Sequence, residues 1–218
     1  MRDPLLLLCG LGPLAALLAT GCASLECGEG TFESEGVCVV DSVEITDPET
    51  MEEVLDEVLT CEPQAAGAPG ELDLEAGCIG AACATDSFAE FVERMQTEPS
   101  CAEYSTQLIR CDFPAGVQVQ VRRSTDDPSA PDPSARLNEL RLVEGSPYRS
   151  PEGLGVGTDM GCFVEELGYP EIATLGPSED GFGLAAGSWF GQRLQVIDGT
   201  YPVSRGGADG TVDAIRLR

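Results

Sequence analysis

Two nine-residue stretches, SFAEFVERM at 87–95 and DMGCFVEEL at 159–167, decide the fold that this sequence predicts. Each begins with a residue that can cap a helix, Ser87 or Asp159. Each then places apolar side chains at positions i, i+3, i+4 and i+7, a spacing that forms one stripe along an α-helix. The two stripes are Phe88, Phe91, Val92 and Met95, and Met160, Phe163, Val164 and Leu167. The sequence therefore predicts two equivalent helices, 72 residues apart.

Strand-like segments follow the two predicted helices in the same order. They are residues 106–113, VQVQVR at 117–122 and ELRL at 139–142 after the first helix, and residues 182–190, 193–197 and AIRL at 214–217 after the second. Alternating apolar and polar residues are typical of strands with one buried face. We therefore predict an α+β domain of two tandem repeats, 76–148 and 149–218, with helices on one face of an antiparallel sheet.

The repeat makes specific residues equivalent. Phe91 and Phe163 are expected at matching buried positions between helix and sheet. Arg141 and Arg216 lie at the same place in the two closing strands and should point away from the helices. The outer sheet face is therefore where we expect a binding partner.

Charge divides the chain into two unlike parts. The whole chain carries 38 acidic and 12 basic residues, a formal net charge of −26, and contains no histidine. Sixteen acidic residues and no basic one lie between Glu26 and Glu75. Such a surplus opposes binding to nucleic acid, and the absence of histidine excludes Ser-His-Asp chemistry and histidine-ligated zinc. The acidic block is interpreted as a solvated segment or, alternatively, as a docking surface for a basic partner or a loose cation sink.

The first 21 residues are typical of a signal peptide. An apolar run from Leu5 to Ala19 is too short for a membrane-spanning helix and is followed by small residues and Cys22. The stretch Leu18–Cys22 resembles the bacterial lipobox, which implies cleavage before Cys22 and acylation of that cysteine. Ala23 after it resembles the signal that sorts lipoproteins to the outer membrane. The alternative is an ordinary secretory signal cut near the same place.

Eight further cysteines fit an exported, disulfide-bonded chain. An even number of cysteines in such a chain implies up to four structural disulfides. Only Cys27–Cys38 is indicated by proximity, and the other pairings stay open. The candidates are Cys27, Cys38, Cys61, Cys78, Cys83, Cys101, Cys111 and Cys162.

The N-terminal part of the mature chain is predicted to hold two small elements. Residues 22–45 form a lipidated stub with a hairpin clipped by Cys27 and Cys38, and it resembles the stub of myxobacterial lipoproteins. Residues 46–75 hold an acidic helix, with Asp47 as cap and Pro48 at its first position, and then a loop over residues 63–72.

A glycine-rich approach to the second helix carries a further resemblance. Residues 153–170 contain Gly153-Leu154-Gly155-Val156-Gly157-Thr158 and later Leu167-Gly168-Tyr169-Pro170. This pattern resembles small outer-membrane lipoproteins of the barrel-assembly type, and residues 76–218 are similar in architecture to the tandem repeats of beta-lactamase inhibitor protein. The resemblance implies protein–protein interaction without catalysis. Read from the residues alone, the glycines make a tight turn into a helix, because a dinucleotide fingerprint needs a βαβ unit.

Two function classes follow. The first is a non-enzymatic, membrane-anchored lipoprotein that binds an envelope protein or supports the envelope, with no catalytic residue, cofactor or metal. The alternative is an acidic-residue hydrolase, using a pair such as Glu165/Glu166 or Glu179/Asp180, or a carbohydrate-binding protein. A sugar platform could be built from four aromatic residues, Tyr169, Trp189, Phe190 and Tyr201. The sequence predicts no oligomeric state.

Overall fold

The computed structural model describes residues 31–34, 37–40, 43–59, 61, 71–178, 181–198 and 211–218. Within these residues the chain is a mixed α and β protein whose strands are antiparallel, as expected. The helices are α1 (Pro48–Val58), α2 (Phe88–Met95) and α3 (Met160–Leu167). The strands are β1 (Thr31–Ser34), β2 (Val37–Val40), β3 (Val43–Ile45), β4 (Leu72–Asp73), β5 (Cys78–Ile79), β6 (Ala82–Cys83), β7 (Ser100–Glu103), β8 (Leu108–Phe113), β9 (Val117–Arg122), β10 (Leu137–Leu142), β11 (Ile172–Ser178), β12 (Gly181–Trp189), β13 (Leu194–Ile197) and β14 (Ala214–Leu217).

One large sheet organises the described part of the chain. Its strand order is β3-β11-β12-β13-β14-β10-β9-β8-β7, so two four-stranded meanders meet at their last strands. The closing strands β10 and β14 pair with each other in the middle of the sheet, with Arg141 opposite Arg216. On either side of that pair, Leu140 lies opposite Leu217 and Leu142 opposite Ile215.

In the described residues four strands follow each of the helices α2 and α3, so the expectation of about three was wrong. Strand β7 escaped prediction because it is an edge strand with every residue exposed and thus no apolar alternation. Strand β11 escaped because Gly176 and Pro177 are typical of a turn. In the structure Pro177 lies opposite Phe182 of β12, and the pairing of β11 with β3 is described for residues 173–175.

The helices cover one face of the sheet. Buried side chains of all three helices belong to one hydrophobic cluster with the inward-facing residues of the central strands. Phe91 of α2 is fully buried and meets Phe113 of β8 edge to face, with ring centroids 5.4 Å apart. Phe163 of α3 is fully buried against Trp189 of β12, with ring centroids 6.5 Å apart. Helix α2 therefore packs on β8, and α3 on β12, through an aromatic pair.

The N-terminal elements are close to those predicted. Strands β1 and β2 form an antiparallel pair, and α1 begins at Pro48 after Asp47, which accepts a hydrogen bond from the Thr50 backbone N–H at 2.9 Å. Helix α1 buries Met51 and Leu55 in the main cluster. The predicted loop over 63–72 was wrong at its end, because Leu72 is buried and pairs with Ile79 in a small sheet of β4, β5 and β6.

The two helix N-termini of the predicted repeat differ in chemistry. Ser87 and Glu90 form a capping box, in which each side chain bonds the other residue's backbone N–H. Asp159 occupies the cap position of α3, but its side chain makes no capping hydrogen bond. The hydrogen bonds from the side chain and the backbone of Ser87 hold the pKa of Glu90 below its ordinary value.

Acid is therefore expected to weaken the α2 cap. A carboxyl group whose pKa is lowered by folding stabilises the fold above its unfolded pKa, and this contribution is lost as the pH falls through the folded pKa. Thermal melts between pH 7 and pH 2 should show a smaller acid-induced loss of stability in Ser87→Ala than in the wild type. The same pH dependence in both proteins would contradict a role for this box.

Candidate functional site

A row of polar residues crosses the sheet on the face that the helices leave open. The strand register places six residues side by side, from Asp112 in β8 through Gln118, Arg141, Arg216 and Gln195 to Ser188 in β12. We call these six residues the polar row. Next to it lie Arg110, Gln120 and Glu139, again on three successive strands. Beyond Ser188, Gln195 and Arg216 the same face is apolar and buried, at Ala186, Ile197 and Ala214. Its polar part is built from arginine, glutamine and a few acidic side chains.

A bulge in β10 brings Glu139 to this face. The pairing of β10 with β9 shifts between Leu137 and Glu139, which inserts one extra residue. Leu137, Leu140 and Leu142 therefore all reach the core, while Glu139 lies opposite Gln120 on the polar side. Without the shift, Leu137 and Glu139 would share a face.

Glu139 is the acidic centre of the cluster. Its side chain is only 9% exposed, and it accepts a hydrogen bond from the Gln120 amide at 3.5 Å. Its two oxygens pair with Arg216 Nε at 3.6 Å and Arg218 Nη2 at 3.9 Å. Arg216 also donates from Nη1 to the Gln195 side-chain oxygen at 3.4 Å. The carboxylate of Glu139 thus forms ion pairs with two arginines.

Arg141 lies beside this network without joining it. Its Nε is buried and has no hydrogen-bond partner among the described residues, and no carboxylate in that part of the chain forms an ion pair with it. Burial, and then the neighbouring Arg216, lower the pKa of Arg141, while Glu139 acts in the opposite direction. Like charges directly opposite each other on paired strands are destabilising. The centre of the sheet therefore carries a positive charge that no direct ion pair neutralises in the described residues.

Tyr104 adds an aromatic side chain to the same region. It follows β7, is 54% exposed, and is close enough to act on the pKa of Arg141. Tyrosine and arginine are enriched among the residues that dominate protein–protein binding energy. Arg141 and Arg216 were predicted on this face from the sequence, whereas Tyr104, Arg110 and Arg218 were not. The alternation in LIRCDF at 108–113 could have placed Arg110 on this face.

The glycine motif is a turn into α3. Gly153 and Gly157 have φ values of +92° and +84°, which favour glycine. A Cβ atom on Gly155 would lie 2.5 Å from Arg149 Cδ and 2.6 Å from the Tyr148 carbonyl oxygen. The glycines are therefore explained by backbone conformation and by close packing.

The proposed aromatic platform does not assemble from its described members. Trp189 is 3% exposed, packs in the core and donates from Nε1 to the Gly168 carbonyl at 2.9 Å. Tyr169 is 39% exposed, Phe190 is partly buried against the core, and Tyr201 lies outside the described residues. Trp189 is therefore inaccessible for sugar stacking.

The candidate carboxylate pairs are not brought face to face. Glu165 and Glu166 are exposed neighbours on α3, and successive residues on a helix point in different directions. Glu179 and Asp180 lie outside the described residues. In the part of the chain that the structure describes, no three His, Cys, Asp or Glu side chains are grouped to hold a metal ion.

Six of the candidate cysteines form disulfides. Cys78–Cys83 and Cys101–Cys111 each join directly opposed residues of adjacent strands. Cys61–Cys162 joins the residues after α1 to α3 across 101 positions of sequence. The expected Cys27–Cys38 pair and the lipidation candidate Cys22 lie outside the described residues, since Cys38 is described only by its backbone in β2.

Comparison with known proteins gives no relative. The chain matches no protein-family model, no curated protein and no solved structure.

Proposed function

We propose that this chain is an envelope lipoprotein, anchored through acylated Cys22, which binds a protein partner and has no catalytic role. The observation that carries the binding role is the polar row with the unpaired Arg141 and the exposed Tyr104. A binding surface needs accessible side chains that can form strong contacts, and arginine and tyrosine provide them.

Three disulfides support export of the chain. Such bonds persist in oxidising compartments and are rare in the bacterial cytosol. No helix in the described residues is long and apolar enough to cross a membrane. The proposed anchor is Cys22 because Leu18–Cys22 resembles a lipobox, and Ala23 after it favours the outer membrane.

We further propose that the two halves are one structural unit present twice. In this account α2 with β7–β10 corresponds to α3 with β11–β14, and Phe91 corresponds to Phe163. The mirrored strand order and the pairing of Arg141 with Arg216 support the assignment. The two halves would then be related by an approximate two-fold axis between these arginines.

The anchor is tested by the mature N-terminus. Mass spectrometry of protein purified from membranes should find an N-terminus at Cys22 that carries acyl chains. Cys22→Ser should move the protein from the membrane fraction to the soluble fraction, and Cys9→Ser, which changes a cysteine inside the signal peptide, should leave it in the membrane. An unmodified N-terminus would contradict the proposal.

A further inference from the structure

The central arginines of the two closing strands, Arg141 and Arg216, differ in their ion pairs. Arg216 has Glu139 at 3.6 Å, whereas Arg141 forms no ion pair with any described carboxylate. Glu139 lies two residues before Arg141 and pairs with Arg216 on the neighbouring strand. The matching position, two residues before Arg216, is Ala214, which has no carboxylate to pair with Arg141. Among the described residues, therefore, no second carboxylate forms an ion pair with Arg141 as Glu139 does with Arg216.

We propose that the missing carboxylate is supplied by a protein partner, and that Arg141 is the anchor for an acidic side chain of that partner. This inference rests on the proposed binding role and adds the chemistry of the partner. The guanidinium group presents donors in a planar fork that fits a carboxylate. The half-buried position of Arg141 makes a pairing there stronger than it would be at an exposed site, because screening by water and salt is weaker.

The charge of the rest of the molecule narrows the choice of partner. With a net charge of −26, the chain repels large polyanions such as nucleic acids. Charges beyond about 8 Å are screened at physiological salt, so a local group of arginines still attracts a short acidic segment. Arg110, Arg141, Arg216 and Arg218 form that group on one face of the sheet. They outnumber the carboxylates there, which are Asp112, paired with Arg110 at 3.5 Å, and Glu139. A single acidic loop or peptide of a partner fits this surface better than an extended polyanion.

The probe for this site is a tetraglutamate peptide with an acetylated N-terminus and an amidated C-terminus. Titrated into the purified full-length mature protein, it should shift the Arg141 Nε–Hε signal in 15N NMR to a saturating value. The matched tetraglutamine peptide and inorganic phosphate should produce no saturable shift at the same concentrations. A saturable shift with phosphate alone would overturn the assignment to a carboxylate.

Two variants that each remove one positive charge distinguish binding at Arg141 from a general effect of net charge. Arg141→Gln should weaken tetraglutamate binding at least tenfold, while Arg136→Gln, at an exposed position, should leave it unchanged. Equal weakening by both variants, or an absence of binding to the wild-type protein, would overturn the proposal. Arg141→Lys retains the charge without the fork, and it should bind more weakly than the wild type.

The melting temperature of Arg141→Gln distinguishes an arginine that binds a partner from one that supports the fold. Removing an unpaired, half-buried charge that faces Arg216 should raise the melting temperature of Arg141→Gln relative to the wild type. A lower melting temperature would show that Arg141 supports the fold and would contradict the proposal. The outcome is distinct from that of the anchor test, because acylation of Cys22 does not depend on which group Arg141 binds.

Discussion

Replacing both Cys61 and Cys162 by serine is expected to lower the free energy of unfolding by about 4–5 kcal/mol, the largest effect among the disulfides described. A cross-link stabilises a protein mainly by restricting the unfolded chain, and the effect grows with the length of the closed loop. This bond closes a loop of 101 residues and ties the end of α1 to α3. Denaturant unfolding of the double variant against the wild type measures the loss.

The matched control is the double replacement of Cys78 and Cys83. That bond spans only 5 residues, and its strands β5 and β6 already pair. The same loop-closure relation gives about 2 kcal/mol for it. Equal losses for the two double variants would show that loop length does not govern these bonds. A much smaller loss for the long loop would show that α1 is held by packing of Met51 and Leu55 alone.

Truncation of Phe91 or of Phe163 is expected to cause the second large loss of stability. Phe91→Ala and Phe163→Ala should each lower the free energy of unfolding by about 3–5 kcal/mol, because each removes a fully buried ring and leaves a cavity. Each ring also loses an aromatic neighbour, Phe113 or Trp189. The two losses should be similar if the halves are one unit present twice.

Val92→Ala and Val164→Ala serve as matched controls for that comparison. These residues follow the two phenylalanines on α2 and α3 and are only partly buried. Each should lose about 1 kcal/mol or less. If Phe163→Ala were several times as damaging as Phe91→Ala, the two sites would not be equivalent and the proposed repeat would fail.

Sequence patterns predicted the regular parts of the fold because those parts follow local rules. Ser87 and Pro48 mark helix starts through capping and a fixed backbone angle, and VQVQVR at 117–122 is a strand with one buried face, as its alternation indicates. The elements that were missed depend on tertiary context. The edge strand β7 has no buried face, and Gly176 and Pro177, which are typical of a turn, lie in β11 because that strand pairs with β12.

The candidate site was predictable in part for the same reason. Alternation alone placed Arg141 and Arg216 on the outer face of their strands. Their direct opposition and the position of Arg218 beside Glu139 depend on which strands pair, and local sequence does not specify that β10 pairs with β14. The bulge before Glu139 likewise follows from core packing, which draws Leu137 inward. Disulfide connectivity, too, depends on the three-dimensional arrangement.

The partner is expected to contact the polar face of the sheet. Photocrosslinking in intact membranes tests this contact. A photoreactive phenylalanine replaces Tyr104 beside that face or, as the control, Tyr169 after α3. Both tyrosine side chains are exposed. Crosslinks to a protein partner are expected from position 104, and they should be lost when Arg141→Gln is added. No crosslinks are expected from position 169. Crosslinks from position 169 alone, or from neither position, would contradict it.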